Sequence, residues 1–468
     1  MNSTDLAFAS ALEQARLIRT GQISPLELTQ VYLDRIDRLN PKLGSYFYIN
    51  RDRAIADAKQ KTEHLTTADP DRLPPFFGVP TAIKDLNNVA ELPCSFGVAA
   101  LRDQVSTYDD AVVARMKAAG FTILGKTATS QLGMFPYSEP PGFPAARNPW
   151  NLDYTPGGSS GGAAAAVAAG LCAIAQGSDG GGSIRGPAAC CGAIGLKPSR
   201  GRVSYAPVGD ALSGLATNGP IARTVADAAA LLDVISGYLT GDPYWLPDSE
   251  PSFLTCATSN AVKPLRIGFT TAIPPMGEAA LPCQKAVLET VKHLEILGHP
   301  VEEVRPDFSE LVEPFIAVWQ TAATVGGIPE AALEPMNQWF ARRANGVTAG
   351  QYLQAVGKMQ VVARQIVSVL DPFDLFVTPV FLHPTIRVGE WADLSPEETL
   401  AKMVSWIAPC APFNATGQPA IALPAGIDDG LPVGVQLVGR PAGESTLLAI
   451  AAQLEAEFPW GDRRPPLA

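Results

Sequence analysis

Two glycine-rich turns, each presenting serine, lie within one short stretch: PGGSSGGAAAAVAAGLCAIAQGSDGGGSIRGPAACCGAIGLKPS, residues 156–199. Glycine lets the backbone take conformations that a Cβ forbids and lets a substrate approach the main chain. Ser183 follows three consecutive glycines, Gly180-Gly181-Gly182. A serine in such a turn sits among free N–H groups, the donors that an oxyanion requires. The competing reading, a flexible linker, fits poorly, because both turns abut apolar, alanine-rich segments. Gly158-Ser159-Ser160-Gly161-Gly162 also matches G-x-S-x-G, the nucleophile elbow, which needs a downstream acid and histidine. The chain has four histidines, His64, His293, His299 and His383. Of these only His383, in a loop after a strand, is placed to serve, and each reads better as an ordinary surface or loop residue, which leaves the elbow match weak. Without histidine the base must be another group. Lys84 ends the apolar run FFGVPTAIKDL, where desolvation would draw its pKa toward neutrality. The alternative for Lys84 is a surface lysine paired with its neighbour Asp85.

These residues need elements to hold them. Residues 1–65 read as a helical segment. Ser24-Pro25-Leu26-Glu27 forms a capping box with proline at the first helical position, Leu28, Tyr32, Ile36 and Leu39 repeat at helical spacing, and Asn40-Pro41 is expected to end the run. From residue 74 the pattern becomes strand, loop and helix. PPFFGVPTAI, FTILGKT, CAIAQGSD, LRIGFT, PVEEV and DLFVTPV read as strands, and 109–119, 224–236 and a segment ending near Leu297 as helices. PAIALPAG and LPVGVQLVG flank Asp428-Asp429-Gly430, a hairpin signal. Leu447, Ile450, Leu454 and Phe458 form the apolar face of a last helix. Such alternation predicts an α/β fold, one large mixed sheet sandwiched between helical layers. Residues 239–263, rich in Pro, Ser and Asp, read as a surface connector, and 325–350 as a helical insertion without a strand partner.

The whole chain bounds the function. With 468 residues, 47% hydrophobic and 17% charged, it is long enough and apolar enough for a large core. Three domains would fit the length, but the alternation supports a single domain spanning 1–468. The net charge of -11, with no basic patch, argues against a nucleic-acid partner. No basic n-region precedes an apolar stretch at the start, and the apolar run 163–175 is short of the ~20 residues that cross a bilayer. The seven cysteines are scattered, with no metal-ligand spacing. A reduced cytoplasmic protein without membrane partner follows as the expectation.

The Gly/Ser stretch resembles the signature block of the amidase signature family: GGSSGG at 157–162, then GSDGGGSIRGPAACCGAIGLKP at 177–198. Similarity extends to GVPTAIKD at 78–85, GKTATSQLG at 125–133, ARNPWN at 146–151, GPIARTVADAA at 219–229, PFNATGQPAIALPAG at 412–426 and GLPVGVQLVG at 430–439. The tail PWGDRRPPLA is similar to those of bacterial stand-alone amidases of the nylon-oligomer hydrolase type. The resemblance implies a sheet of about ten strands between helical layers. It also implies a Ser–Ser–Lys triad, with Ser183 as nucleophile, Ser159, 24 residues upstream, as the bridging serine after a cis peptide bond, and Lys84 as base. It places the oxyanion hole on the N–H groups of Gly180, Gly181, Gly182 and Ser183, and gives Ser160, Asp179 and Arg185 supporting roles. It implies no metal and no organic cofactor.

Three positions depart from the family pattern. Gly180 stands where threonine is frequent, Gly186 where a branched aliphatic is usual and Cys190 where phenylalanine is usual. All are smaller, which predicts a pocket that accepts more bulk. The segment MFPYSEPPGF, 134–143, offers aromatics that either line the pocket or pack the loop. The expected function is hydrolysis of the C–N bond of a small carboxamide or an aryl or alkyl amide through an acyl-enzyme, with a small-molecule amide as the partner and a homodimer left open. The alternative is the A subunit of the tRNA-dependent amidotransferase, which releases ammonia from glutamine. A catalytically dead scaffold is disfavoured because all three triad positions are intact.

Overall fold

A computed structural model describes residues 2–259 and 262–467. The first and last residues, and residues 260 and 261 of the expected connector, lie outside them. The strands are β1 (Tyr46–Ile49), β2 (Pro80–Lys84), β3 (Thr122–Thr127), β4 (Ile174–Asp179), β5 (Ile194–Lys197) and β6 (Thr217–Ala222). After them come β7 (Ile267–Phe269), the short pair β8 (Ala272–Ile273) and β9 (Gly277–Glu278), and β10 (Val301–Glu303). The last three are β11 (Leu375–Pro379), β12 (Ala420–Asp428) and β13 (Leu431–Gly439). Eleven of them form one sheet in the order β1-β3-β2-β4-β6-β5-β12-β13-β11-β7-β10. The sheet is mixed, as expected: β2 runs parallel to both β3 and β4, whereas β4–β6 and β12–β13 are antiparallel. The hairpin signal is realised, with Asp429 and Gly430 both at positive φ between paired Asp428 and Leu431.

Parallel pairing of β2 and β4 matters most for function. Thr81 faces Ile174 and Ala82 faces Ala175. The carboxyl ends of both strands therefore emerge at one edge of the sheet, where open α/β sheets bind ligands. The helix Gly161–Ala168 backs this edge with every residue buried. It lies so close to its neighbours that a Cβ on Gly162 would drive into the backbone of Ala128 and Ser45. The Gly162 N–H instead donates to the Ala128 carbonyl at 3.1 Å.

Several boundaries differ from the sequence reading. The segment 1–65 is not wholly helical: Tyr46–Ile49 is the edge strand β1, antiparallel to β3. Four residues are too few to show an alternating pattern between two helices. The capping box at Ser24 forms as expected, but Pro41 does not end that helix, which runs Pro25–Leu43 to a left-handed Gly44. The only bond Pro41 forfeits is to the carbonyl of Asp37, a solvent-exposed residue. PPFFGVPTAI is a strand only from Pro80, because Pro74–Gly78 are taken up by turns closed at Gly78, φ +76°. The expected connector contains a helix, Phe253–Thr258, docked through Phe253 and Leu254 N–H groups on the Asp233 carboxylate at 2.7 and 2.9 Å. Among the described residues no helix is long and apolar enough to cross a membrane.

Candidate active site

Lys84 closes β2 and is wholly buried. Its backbone N–H is pinned by the Gln176 side chain at 3.0 Å. Its Nζ donates to Ser159 Oγ at 2.7 Å, to Ser178 Oγ at 3.0 Å and to the Ser178 carbonyl at 3.3 Å. Burial strips the ammonium of solvent and lowers its pKa to about 7, against the charge of Asp179, which pulls the other way. The surface pairing with Asp85 does not occur. Asp85 is itself buried and pairs with Lys126 at 2.9 Å.

Ser159 follows a cis peptide bond from Gly158. Ser138 Oγ holds this turn, donating to the carbonyls of Gly157 and Ser159, both at 3.2 Å. Ser160 Oγ donates to the Ser178 carbonyl at 3.1 Å and its N–H to the Ser183 carbonyl at 3.1 Å, tying the two serine turns together.

Asp179 and Arg185 organise the second turn. Arg185 grips Asp179 through Nε–Oδ2 and Nη2–Oδ1, each 2.9 Å, with both side chains fully buried. Burial alone would raise the Asp179 carboxyl, but the charge and hydrogen bonds of Arg185, then Lys197 and Asn414, hold it well below its usual range. Asp179 also accepts from the N–H groups of Gly182 (2.7 Å) and Ile184 (3.1 Å). Gly182 must be glycine on two counts, its φ of +124° and a Cβ that would meet Cys410 Cβ and Ile407 Cδ1 at 2.7 Å. Gly182 thus departs from the expected set of oxyanion donors, because Asp179 takes its N–H. The N–H groups of Gly180, Gly181 and Ser183 have no protein acceptor among the described residues.

Ser183 is 6% exposed and lines a cavity of about 110 Å³. The rest of the lining is apolar and carries no charged side chain; it includes Met134, Phe135, Phe308, Phe315, Trp319 and Ile407. The aromatics of 134–143 therefore divide. Phe135 lines this cavity, Tyr137 lines a separate one, and Phe143 stacks on Phe47 at 4.2 Å. The three small residues do not enlarge the pocket. A Cβ on Gly180 would stand 3.1 Å from Trp319 Cζ3, and one on Gly186 would stand 2.7 Å from Phe381 Cζ. Cys190 is buried, and neither it nor Gly186 lines the cavity. Aromatic rings from distant segments occupy the space next to both glycines.

No histidine joins the cluster. His383 Nδ1 lies 3.0 Å from the Pro384 carbonyl with its ring on Trp406, His293 stacks on Phe458, His64 lies against Phe77, and His299 bridges Leu265 and Gln453. The elbow reading of Ser159 therefore has no base to work with. Buried amides were missed by the sequence reading. Asn414 Nδ2 donates to Asp179 Oδ1 at 2.9 Å, Gln436 Oε1 accepts from Arg185 Nη1 at 2.5 Å, and Gln176 Nε2 bonds Asn87 and Asn218. For Gln436 a lone amide inside the otherwise apolar strand GVQLVG was the available signal.

The Amidase family profile matches residues 27–448. A putative amidase of Synechocystis sp. is 54% identical over 457 residues, 97% of this chain and 90% of that protein. Among solved structures, a 6-aminohexanoate cyclic dimer hydrolase superposes with a TM-score of 0.92 at 32% identity, covering 98% of this chain and 99% of that one. A bacterial aryl acylamidase gives 0.87 at 27% identity, covering 97% of each.

Proposed function

The chain belongs to the amidase signature family of amide hydrolases, and from that premise we propose that it cleaves apolar amides through a Ser183–Ser159–Lys84 relay and an acyl-enzyme on Ser183. The observation that carries this reading is the buried 2.7 Å contact between Lys84 Nζ and Ser159 Oγ. A lysine titrating near 7 is a base at neutral pH, and the same contact that carries the hydrogen bond also carries a proton from Ser159 to neutral Lys84. Ser159 in turn takes the Ser183 proton as Ser183 Oγ attacks the amide carbon. The developing oxyanion meets the N–H groups of Gly180, Gly181 and Ser183, held in place by the Asp179–Arg185 clamp from behind. When the tetrahedral intermediate collapses, Ser159 returns a proton to the departing amine, and water then releases the acid by the reverse relay.

The cavity argues for the class of substrate. Its lining includes Ser183 but neither Ser159 nor Lys84. The amine must face Ser159 to be protonated, so the apolar cavity receives the acyl portion. Glutamine, with a charged α-amino acid group, has no counterpart in that lining, which speaks against a glutaminase. The test is labelling with a small alkyl fluorophosphonate, followed by peptide mapping. Label on Ser183 in the wild type and none in Ser183→Ala is expected; label carried by Ser159 or Ser160 would overturn the relay.

A further inference from the structure

The helix Val312–Trp319 lies over the glycine turn. Val318 is fully buried in the core, and Gln320, just past the helix end, accepts from Arg343 Nε at 3.0 Å. These anchors fix the two rings that face the site, Phe315 and Trp319, which stack at 5.8 Å and 18°. A Cβ built on Gly181 would lie 3.5 Å from Phe315 Cζ and 3.7 Å from Trp319 Cη2; on Gly180 it would lie 3.1 Å from Trp319 Cζ3. Neither glycine has a left-handed φ, so the backbone at both would accept a side chain. At Gly180 the indole crowds it, and the ring would have to give by a few tenths of an ångström to admit a Cβ.

We propose that Trp319 is a specificity-determining residue of this site: its indole, laid on the side-chain-free Gly180–Gly181 turn, walls the cavity beside Ser183 and limits the acyl group to short chains. The inference rests on the amidohydrolase reading above. The wall is a matched pair. Glycine at 180 makes room for the indole, and the indole takes up the space that glycine frees, so the small residue restricts the pocket instead of widening it. Trp319 is only half-buried and its indole N–H makes no hydrogen bond among the described residues. Truncating it therefore strands no polar partner.

The experiment measures kcat/KM on p-nitroanilides of straight-chain acids from acetyl to octanoyl, for wild type, Trp319→Ala, Trp319→Phe, Gly180→Thr and the double variant Gly180→Thr/Trp319→Ala. Wild type should stop gaining from added methylenes early in the series. Trp319→Ala should continue to gain about fourfold per methylene seated in the opened cavity, and Trp319→Phe should fall between. Gly180→Thr alone should lose activity at every length, and the Trp319→Ala background should rescue it, a non-additivity expected of side chains in contact. An unchanged chain-length profile in both Trp319 variants, with Ser183 still labelled by fluorophosphonate, would overturn the role of Trp319. Failure of wild type to take label at Ser183 would instead remove the amidohydrolase reading, and this inference with it.

Discussion

Replacing Lys84 by methionine separates the catalytic role proposed for it from its cost to folding. With a pKa of about 7, Lys84 is roughly one-tenth neutral at pH 6 and nine-tenths at pH 8. An unperturbed lysine at ~10.4 would be about 0.04% neutral at pH 7. Activity of the wild type should therefore fall about tenfold per pH unit below 7 and level off above 8. Lys84→Met removes the base and should lose about 10²–10⁴-fold in kcat. Stability should move the other way. The folded pKa lies below the unfolded one, so between about 7 and 10.4 the unfolded chain binds more protons, and stability rises with pH across that window. Below pH 7 the full cost of burying this lysine is carried; at pH 7 it is about 4 kcal/mol. Leaving the hydroxyls of Ser159 and Ser178 without their donor returns about 1 kcal/mol each. A net gain of about 2 kcal/mol at pH 7 remains, vanishing at about pH 9 and reversing above it. Denaturant titrations of both proteins at pH 7 and pH 9.5, beside a pH profile of kcat/KM, measure this. A wild-type profile flat from pH 5 to 9, or a Lys84→Met protein less stable than wild type at pH 7, would refute a neutral buried lysine.

Two further substitutions probe the scaffold. Gly186→Ile should not tune substrate size: its first carbon would meet Phe381 Cζ at 2.7 Å, so about 1–3 kcal/mol of stability should be lost to overpacking, with kcat/KM changing equally for short and long amides. A selective loss of long amides in the anilide series would contradict this. Asp179→Asn should cost about 3–5 kcal/mol by leaving Arg185 buried without its partner. Because the Asp179 pKa is depressed in the fold, that contribution is present above its unfolded value near 4 and lost as pH falls through the lower folded value. The gap between variant and wild type in urea titrations should therefore be as wide at pH 5 as at pH 7, and a gap closing by pH 5 would contradict the assignment.

Much of the candidate site was legible because its candidate residues lie in local motifs. Ser183 after three glycines, Ser159 in a second glycine turn and Lys84 at the end of an apolar run each carry their own signal, and the parallel pairing of β2 with β4 brings those signals to one edge. The hairpin at Asp428-Asp429-Gly430 and the capping box at Ser24 were equally local. Tyr46–Ile49 was not, since a four-residue edge strand is defined by its pairing with β3 and not by its own pattern. The Asp179–Arg185–Asn414–Gln436 network was legible only in part. Its ion pair sits within one motif, but its amides arrive from more than two hundred residues away.

The departures at Gly180 and Gly186 show why a site's shape resists reading from its motif. A small residue states only what is missing at one position. Whether the space stays open depends on what reaches it, and here Trp319 reaches Gly180 while Phe381 reaches Gly186. Both rings come from segments outside the signature block, on elements that pack over it only after folding. Protein interiors are filled to near-crystalline density, so a glycine in a buried turn is better evidence of a large neighbour than of an empty pocket. By the same argument the lowered pKa of Lys84 depends on what covers it. The lysine could be placed at a strand end from sequence, but its burial depends on the alanine-rich helix Gly161–Ala168 packing tightly enough behind the sheet edge to keep water out.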